Sequence, residues 1–193
     1  MLDFRLQKIT DCQWINLFRV FYKQKGAVKT WLTCSRKENP VADADTPDAV
    51  VIVPIVATDA GPRLVITKEF RIPIWDYEYG FPAGLIDKGE SIEETIKREL
   101  KEETGLDLVS VEHISGPIYS SAGMSDESCL MAIVRAEGKL SNQWLEDGED
   151  IEAQFMDAAD IDKLLASGKK ISAKAWGLFY HYAKTGKDRK SVV

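Results

Sequence analysis

Residues 84–106 read GLIDKGESIEETIKRELKEETGL, and this stretch decides how the rest of the chain is interpreted. Ser91 followed three residues later by Glu94 is a capping box, and Gly105 stands where a left-handed residue ends a helix, so a helix is predicted from about Ser91 to Thr104. At 3.6 residues per turn, Glu99, Glu102 and Glu103 fall within an arc of roughly 100°. A Glu-rich face is ordinarily solvated. Here Ile92 lies inside the glutamate arc, Ile96 and Leu100 flank it, and Lys97 and Lys101 lie on the far side, so the three carboxylates are expected to face protein. Acids crowded on an inward side repel one another and need a cation to stay ionised. Magnesium suits that need, because it takes hard oxygen ligands and binds through one or two carboxylates plus substrate phosphates. Glu90 and Arg98 are read as an ion pair that orients loop against helix.

Outward from this helix, two stretches rich in aromatic and branched residues, Trp14 to Tyr22 and Ala27 to Arg36, flank the turn-prone Lys23-Gln24-Lys25-Gly26 and predict a hairpin. The polar run from Lys37 to Asp48, with Pro40 and Pro47, reads as a linker. A division near Asp45 is therefore expected, with residues 1–45 forming an N-terminal β subdomain and 46–193 the main domain. Ala49 to Ala57 and Leu64 to Phe70 read as strands joined at Asp59-Ala60-Gly61-Pro62; Cys129 to Ala136 and Glu152 to Met156 as further strands; Ala159 to Ala166 and Ser172 to Ala183 as closing helices. This order implies a layered α and β fold.

The 193 residues, 45% hydrophobic and 29% charged, are the size and composition of a globular chain with one principal domain. A net charge of −6 argues against general nucleic-acid binding, which needs a surplus of Lys and Arg. No apolar run approaches the roughly 20 residues that span a bilayer. Cys12, Cys34 and Cys129 are an odd set without ligand spacing, which favours a reducing cytoplasm. His113 and His181 are assigned no role.

Gly84, Glu90, Arg98, Glu99, Glu102, Glu103 and Gly105 follow the pattern G-x5-E-x7-R-E-U-x-E-E-x-G-U, with Leu100 and Leu106 in the aliphatic places, and this resembles the box of the Nudix hydrolases. At about 7% per specified residue, the seven fixed positions would coincide roughly once in 10⁸ starting points. The resemblance implies an α+β fold, the Nudix α/β/α sandwich with a mixed sheet, carrying the N-terminal β-hairpin subdomain as an addition. It further implies hydrolysis of a nucleoside diphosphate linked to another group, with magnesium, or manganese in its place, held by Glu99, Glu102 and Glu103 and by the backbone carbonyl of Ala83. Gly84, Glu90, Arg98 and Gly105 are the structural members of the box.

From about Gln13 through Tyr182 the chain also resembles the ADP-sugar, or ADP-ribose, pyrophosphatases. Lys68-Glu69-Phe70-Arg71 and the run Tyr77 to Gly84 are similar to that subgroup's entry to the box, which makes Arg71 the expected phosphate contact, although a surface salt bridge explains an arginine there as well. Trp14 and Trp31, with Arg36 after them, are similar to the tryptophans of dimeric relatives that stack adenine. Read alone, each tryptophan is better explained as core or dimer packing. Ser121 to Glu127, containing Met124, resembles a substrate loop in which Ala122 stands where relatives usually carry proline; Leu32 stands where they often carry an acid. Glu146-Asp147-Gly148-Glu149-Asp150 resembles the loop that brings a catalytic glutamate over the metal, with Glu149 the favoured base, Asp147 its alternative and Glu102 contributing from the helix. A solvated turn is the plainer reading of those acids. The expected substrate is ADP-ribose, giving AMP and ribose 5-phosphate, by a homodimer with no nucleic-acid or membrane partner. The alternatives are GDP-mannose or another nucleotide sugar, and a sensor that binds without turnover.

Overall fold

A computed structural model describes residues 4–186. In chain order its elements are β1 (Phe4–Lys8), β2 (Asn16–Gln24), β3 (Ala27–Ser35), β4 (Ala49–Thr58), β5 (Gly61–Arg71), a 3-10 turn at Ile72–Ile74, β6 (Asp76–Gly80), β7 (Ala83–Leu85), α1 (Ile92–Thr104), β8 (Asp107–Ile114), β9 (Ile118–Tyr119), β10 (Ser128–Glu137), β11 (Ile151–Met156), α2 (Ala158–Ala166), β12 (Lys170–Ile171) and α3 (Ala173–Thr185). They fall into two compact units.

The first unit runs through Asp48 and takes in Pro117–Cys129, so it is larger than a contiguous segment ending near residue 45. Its sheet is antiparallel in the order β1-β2-β3. The hairpin closes between Gln24 and Ala27 with both central residues at positive φ, Lys25 at 52° and Gly26 at 78°, as a two-residue turn matched to strand twist requires. The run from Lys37 to Asp48 is tied down where a linker was expected. The Lys37 side chain, 7% exposed, lies 3.5 Å from Asp48 and 3.8 Å from Asp126. Ser35 Oγ donates to Asp126 at 2.9 Å and the Cys34 amide to the Met124 carbonyl at 2.9 Å. A buried lysine between two carboxylates fastens the segment in place, because leaving its charge unpaired would cost several kcal/mol, on the order of 3–5.

In the second unit the sheet runs β12-β6-β5-β4-β10-β8, with β11 on β5 and β7 on β4. It is mixed: β12 pairs with β6 in parallel, while β5 pairs with β4, β6 and β11 antiparallel. β4 reads as an almost unbroken apolar run because it is buried along most of its length. α1 lays Ile96 and Leu100, both fully buried, against Val50, Ile52, Val65, Ala132 and Val134; each such side chain contributes about 1.5–3 kcal/mol. The helix begins and ends where its sequence predicts, with the Ser91/Glu94 capping box closed and Gly105 at φ 77°. On the opposite sheet face α2 and α3 pack on each other, and Phe179 meets Phe81 edge to face at 5.0 Å. Helix, sheet and helix form the expected sandwich.

Strands β1, β6, β7, β8, β9 and β12 were not anticipated. In β8 only Leu108 and Val111 turn to the core, and its pairing with β10 shifts register between Ile133 and Val134 and again between Arg135 and Ala136. Such irregularities break the period-two pattern that betrays a strand.

Candidate active site

The glutamates of α1 face inward. Glu99 is 8% and Glu103 6% exposed, while Glu102 is partly exposed and Lys97 lies in solvent. Two local devices hold them. The Ala83 amide donates to Glu103 Oε2 at 3.1 Å. A Cβ built on Gly84 would collide with the carboxylate of Glu99, so glycine is needed there for close approach.

Arg98 fastens the loop to the helix. It donates from Nε and Nη2 to both oxygens of Glu90 at 2.9 Å each, from Nη1 to Glu99 at 2.6 Å and Glu102 at 3.1 Å, and from Nη2 to the Leu85 carbonyl at 3.1 Å. Thr95 Oγ1 adds a bond to Glu90 at 2.8 Å. The Arg98 guanidinium, ahead of the smaller pull of Thr95 and the Asp87 amide, lowers the Glu90 carboxyl to about 2. Glu99 and Glu103 move the other way. Burial raises Glu99 despite its bond to Arg98. Burial likewise raises Glu103 well above the ordinary range, and Glu69, Glu99 and Glu149 push it further in the same direction.

Glu69 therefore belongs to the acidic group, although its side chain comes from β5. Burial raises its carboxyl while Arg71, 2.6 Å away, opposes the shift. Arg71 also lies 3.8 Å from Glu78, the residue facing Glu69 across the ladder, and so bridges two like charges that would otherwise repel. The 146–150 loop is fixed to the same strands: Tyr77 Oη donates to Asp150 at 2.5 Å and the Phe70 amide to the Asp150 carbonyl at 3.1 Å. Within that loop Glu149 accepts from the Glu146 amide at 3.0 Å; Glu149 and Asp147 are both exposed.

Residues 45–176 match the Nudix domain profile. The chain belongs to the Nudix hydrolase family. An uncharacterized Nudix hydrolase of Schizosaccharomyces pombe is 32% identical over 74% of this chain and 70% of that protein. The ADP-ribose pyrophosphatase of Saccharomyces cerevisiae is 30% identical over 88% of this chain and 77% of its own length. Among solved structures, an ADP compounds hydrolase superposes with a TM-score of 0.73 at 19% identity, covering 99% of this chain and 97% of that one, which is a likeness of fold.

The Nudix box is thus assembled as one piece by α1 and the loop before it, and Glu69, Arg71 and the 146–150 loop approach through β5 and its partners. Glu69 was missed by sequence reading although it stands inside a quoted motif. Its only signal is strand alternation, which puts it on the same face as Thr67 and Val65 and opposite Lys68. Trp14, Trp31, Arg36 and Met124 all belong to the first unit. The tryptophans are 69% and 51% exposed, so neither is core, and among the described residues their rings do not contact each other. Arg36 lies 3.8 Å from Glu127, and the Met124 carbonyl is occupied by the Cys34 amide.

Donor chemistry in the Nudix site suits a hard divalent cation. Buried carboxylates supply oxygen ligands; burial first, and neighbouring carboxylates after it, raise Glu99 and Glu103, so a bound cation would offset the cost of ionising them there. Among the described residues no three acidic, histidine or cysteine side chains form a ready cluster for an ion; Arg98 takes up one oxygen each of Glu99 and Glu102.

Proposed function

We propose that this Nudix chain hydrolyses the diphosphate bond of an ADP-sugar, ADP-ribose foremost, to AMP and ribose 5-phosphate with magnesium as the cation. The observation that carries the reading is the pair of buried glutamates on α1, one held by the Ala83 amide and the other in the space left by Gly84. The ADP-ribose pyrophosphatase of Saccharomyces cerevisiae, 30% identical, and the ADP-sugar pyrophosphatase of Mus musculus, 28% identical over 80% of this chain, support the substrate class.

Glu99, Glu102, Glu103 and the Ala83 carbonyl would hold the cation. When bound it supplies neutralisation of the diphosphate oxygens and polarisation of the phosphorus under attack. Water adds to one phosphorus, the bridging P–O bond breaks, and the bridging oxygen leaves with the other phosphate. Glu149, or Asp147 beside it, takes the proton of the water, a role that its position on an exposed loop allows once substrate has displaced solvent. Arg71 keeps its bond to Glu69, which aims the guanidinium, and turns a remaining N–H donor to a substrate phosphate oxygen. Arg98 and Glu90 hold the loop against the helix and touch no reacting atom.

The first unit carries the adenine site and the dimer contact in this proposal. Its strands leave Phe4, Val28, Trp31 and Leu32 exposed, and the turn leading into β2 adds Trp14 and Ile15, apolar side chains that a second chain would cover. Two exposed tryptophans offer flat faces for a base. Among the described residues no helix is long and apolar enough to cross a membrane, and a cytoplasmic location is part of the same proposal.

A panel of nucleotide sugars, incubated with magnesium and analysed for products, tests this. AMP from ADP-ribose is expected, with Glu103→Gln binding the nucleotide and releasing none. The substrate claim fails if no ADP-sugar yields AMP from folded protein; turnover of GDP-mannose alone moves the base preference, and nucleotide binding by both proteins without turnover makes the chain a sensor. Light scattering at micromolar concentration should return the mass of two chains.

A further inference from the structure

On the sheet face away from the Nudix glutamates lies a cleft of about 460 Å³, within the volume range of small-molecule sites. It belongs wholly to the second unit. β5 contributes Lys68, β6 Tyr79, β11 Gln154, α2 Asp160 and Lys163, and the turn after α2 contributes Lys169. Lys68, Tyr79 and Glu152 stand opposite one another across β5, β6 and β11, and strand alternation puts Lys68 on the reverse face from Glu69.

The lining is rich in donors and cations in a chain whose net charge is −6. Three lysines stand against a single acid. Asp160 is itself committed: it accepts from Lys163 Nζ at 3.3 Å and from the Asp157 amide at 3.4 Å, and lies 3.8 Å from Arg63. Lys68 reaches Glu152 at 3.3 Å, just outside the lining. Lys169 differs from both. Its Nζ donates to Tyr79 Oη at 2.9 Å and sits over that ring, and among the described residues it meets no carboxylate. An ammonium holds three donors, so Lys169 keeps two for a ligand, and the Tyr79 hydroxyl, used as acceptor, keeps its own proton to give. Gln154 spends one amide hydrogen on Glu152 at 3.0 Å and keeps the other. Donors converging from strand, helix and turn, with few free acceptors, suit an oxyanion better than a sugar or a cation. Phe155, 38% exposed, adds an apolar wall that a bare anion would not use.

We propose that this cleft is a second binding site, independent of metal, for the phosphate monoester of a small organic molecule, the class that includes nucleoside monophosphates and sugar phosphates. The site stands whether or not the Nudix face hydrolyses ADP-sugars, since it shares no side chain with it.

The test is calorimetric titration of the full chain in excess EDTA at low ionic strength with AMP, ribose 5-phosphate and inorganic phosphate. Saturable binding of at least one ester, tighter than inorganic phosphate, is expected. Replacing both Lys163 and Lys169 with Ala should weaken it at least tenfold, roughly the worth of one charge-assisted contact; Lys169→Arg should retain most of it, and Arg71→Ala on the other face should leave it unchanged. Both lysines are exposed, so the fold should survive, and a thermal melt checks this. Should the double variant unfold, Lys163→Ala alone, whose side chain is 79% exposed, gives the same comparison. Absence of saturable binding by either ester, equal binding by the lysine variant, or loss on Arg71→Ala overturns the site. Inorganic phosphate binding as tightly as the esters overturns the assignment to organic phosphates.

Discussion

Gly84→Ala puts one methyl group where the structure has the Glu99 carboxylate. Gly84 lies in β7 opposite Val50 and needs no left-handed backbone, so in an open strand the change would gain a few tenths of a kcal/mol through the unfolded chain. Here Glu99 has to move, and with 8% exposure it has little room. Forcing a methyl into a filled space costs about 1–3 kcal/mol. Breaking the 2.6 Å bond from Arg98 costs about 1.5–3 kcal/mol where the group stays buried. These penalties overlap, because Arg98 keeps Glu90 and Glu102, and a net loss of about 2–3 kcal/mol is expected. For a chain of this length that lowers Tm by about 4–12 °C. If Glu99 holds the cation as proposed, moving its carboxylate by about an ångström should also cut AMP release from ADP-ribose roughly 100-fold. The decisive assay is a double-mutant cycle by denaturant unfolding with Glu99→Ala. With the carboxylate gone, alanine at 84 has space, so its cost should fall below about 0.5 kcal/mol and the coupling energy should approach 2 kcal/mol. An equal cost in both backgrounds refutes the claim that glycine is there for Glu99.

Burial raises the folded-state pKa of Glu103 above its ordinary 4.5, so its contribution to stability is full below that value and is lost as pH rises; in EDTA, Glu103→Gln should melt above the parent by a margin that widens from pH 4.5 upward, and a constant margin argues against the shift. Glu90 is shifted the opposite way, from 4.5 to about 2 by Arg98, so its contribution is present above 4.5 and disappears as pH falls toward 2; Arg98→Ala should be less stable at neutral pH and show a flatter acid limb in a pH series of melts. Ser91→Ala removes the cap of α1 and should cost about 1 kcal/mol, or about 2–4 °C, with the kcat of the folded protein unchanged; a fall in kcat would make the cap part of the site.

Much of the Nudix helix was legible from residues within a few places of one another. Ser91, Glu94 and Gly105 announce its ends, because capping bonds and a left-handed stop are local. The spacing of Glu99, Glu102 and Glu103 among Ile92, Ile96 and Leu100 announces which way the acids face, since helical periodicity is local too. The hairpin turn at Lys25 and Gly26 was equally readable. Glu90 and Arg98, eight residues apart, could be paired from the loop-to-helix geometry.

Other features depend on partners far away along the chain. Glu69 joins the acids only because the sheet carries β5, paired with the remote strand β11, to within electrostatic reach of Glu103 on α1. Lys37 looked like part of a solvated linker until Asp48 and Asp126 closed around it, and the lysine cleft draws on five separate elements. A charged residue carries no mark in its neighbours that tells whether distant chain will bury it, so the fate of such residues is decided by tertiary packing. What a sequence determines by itself is what hydrogen bonds and periodicity settle over a few turns; which acids meet, why Gly84 has no side chain and where cations gather are decided when the sheet brings remote segments together.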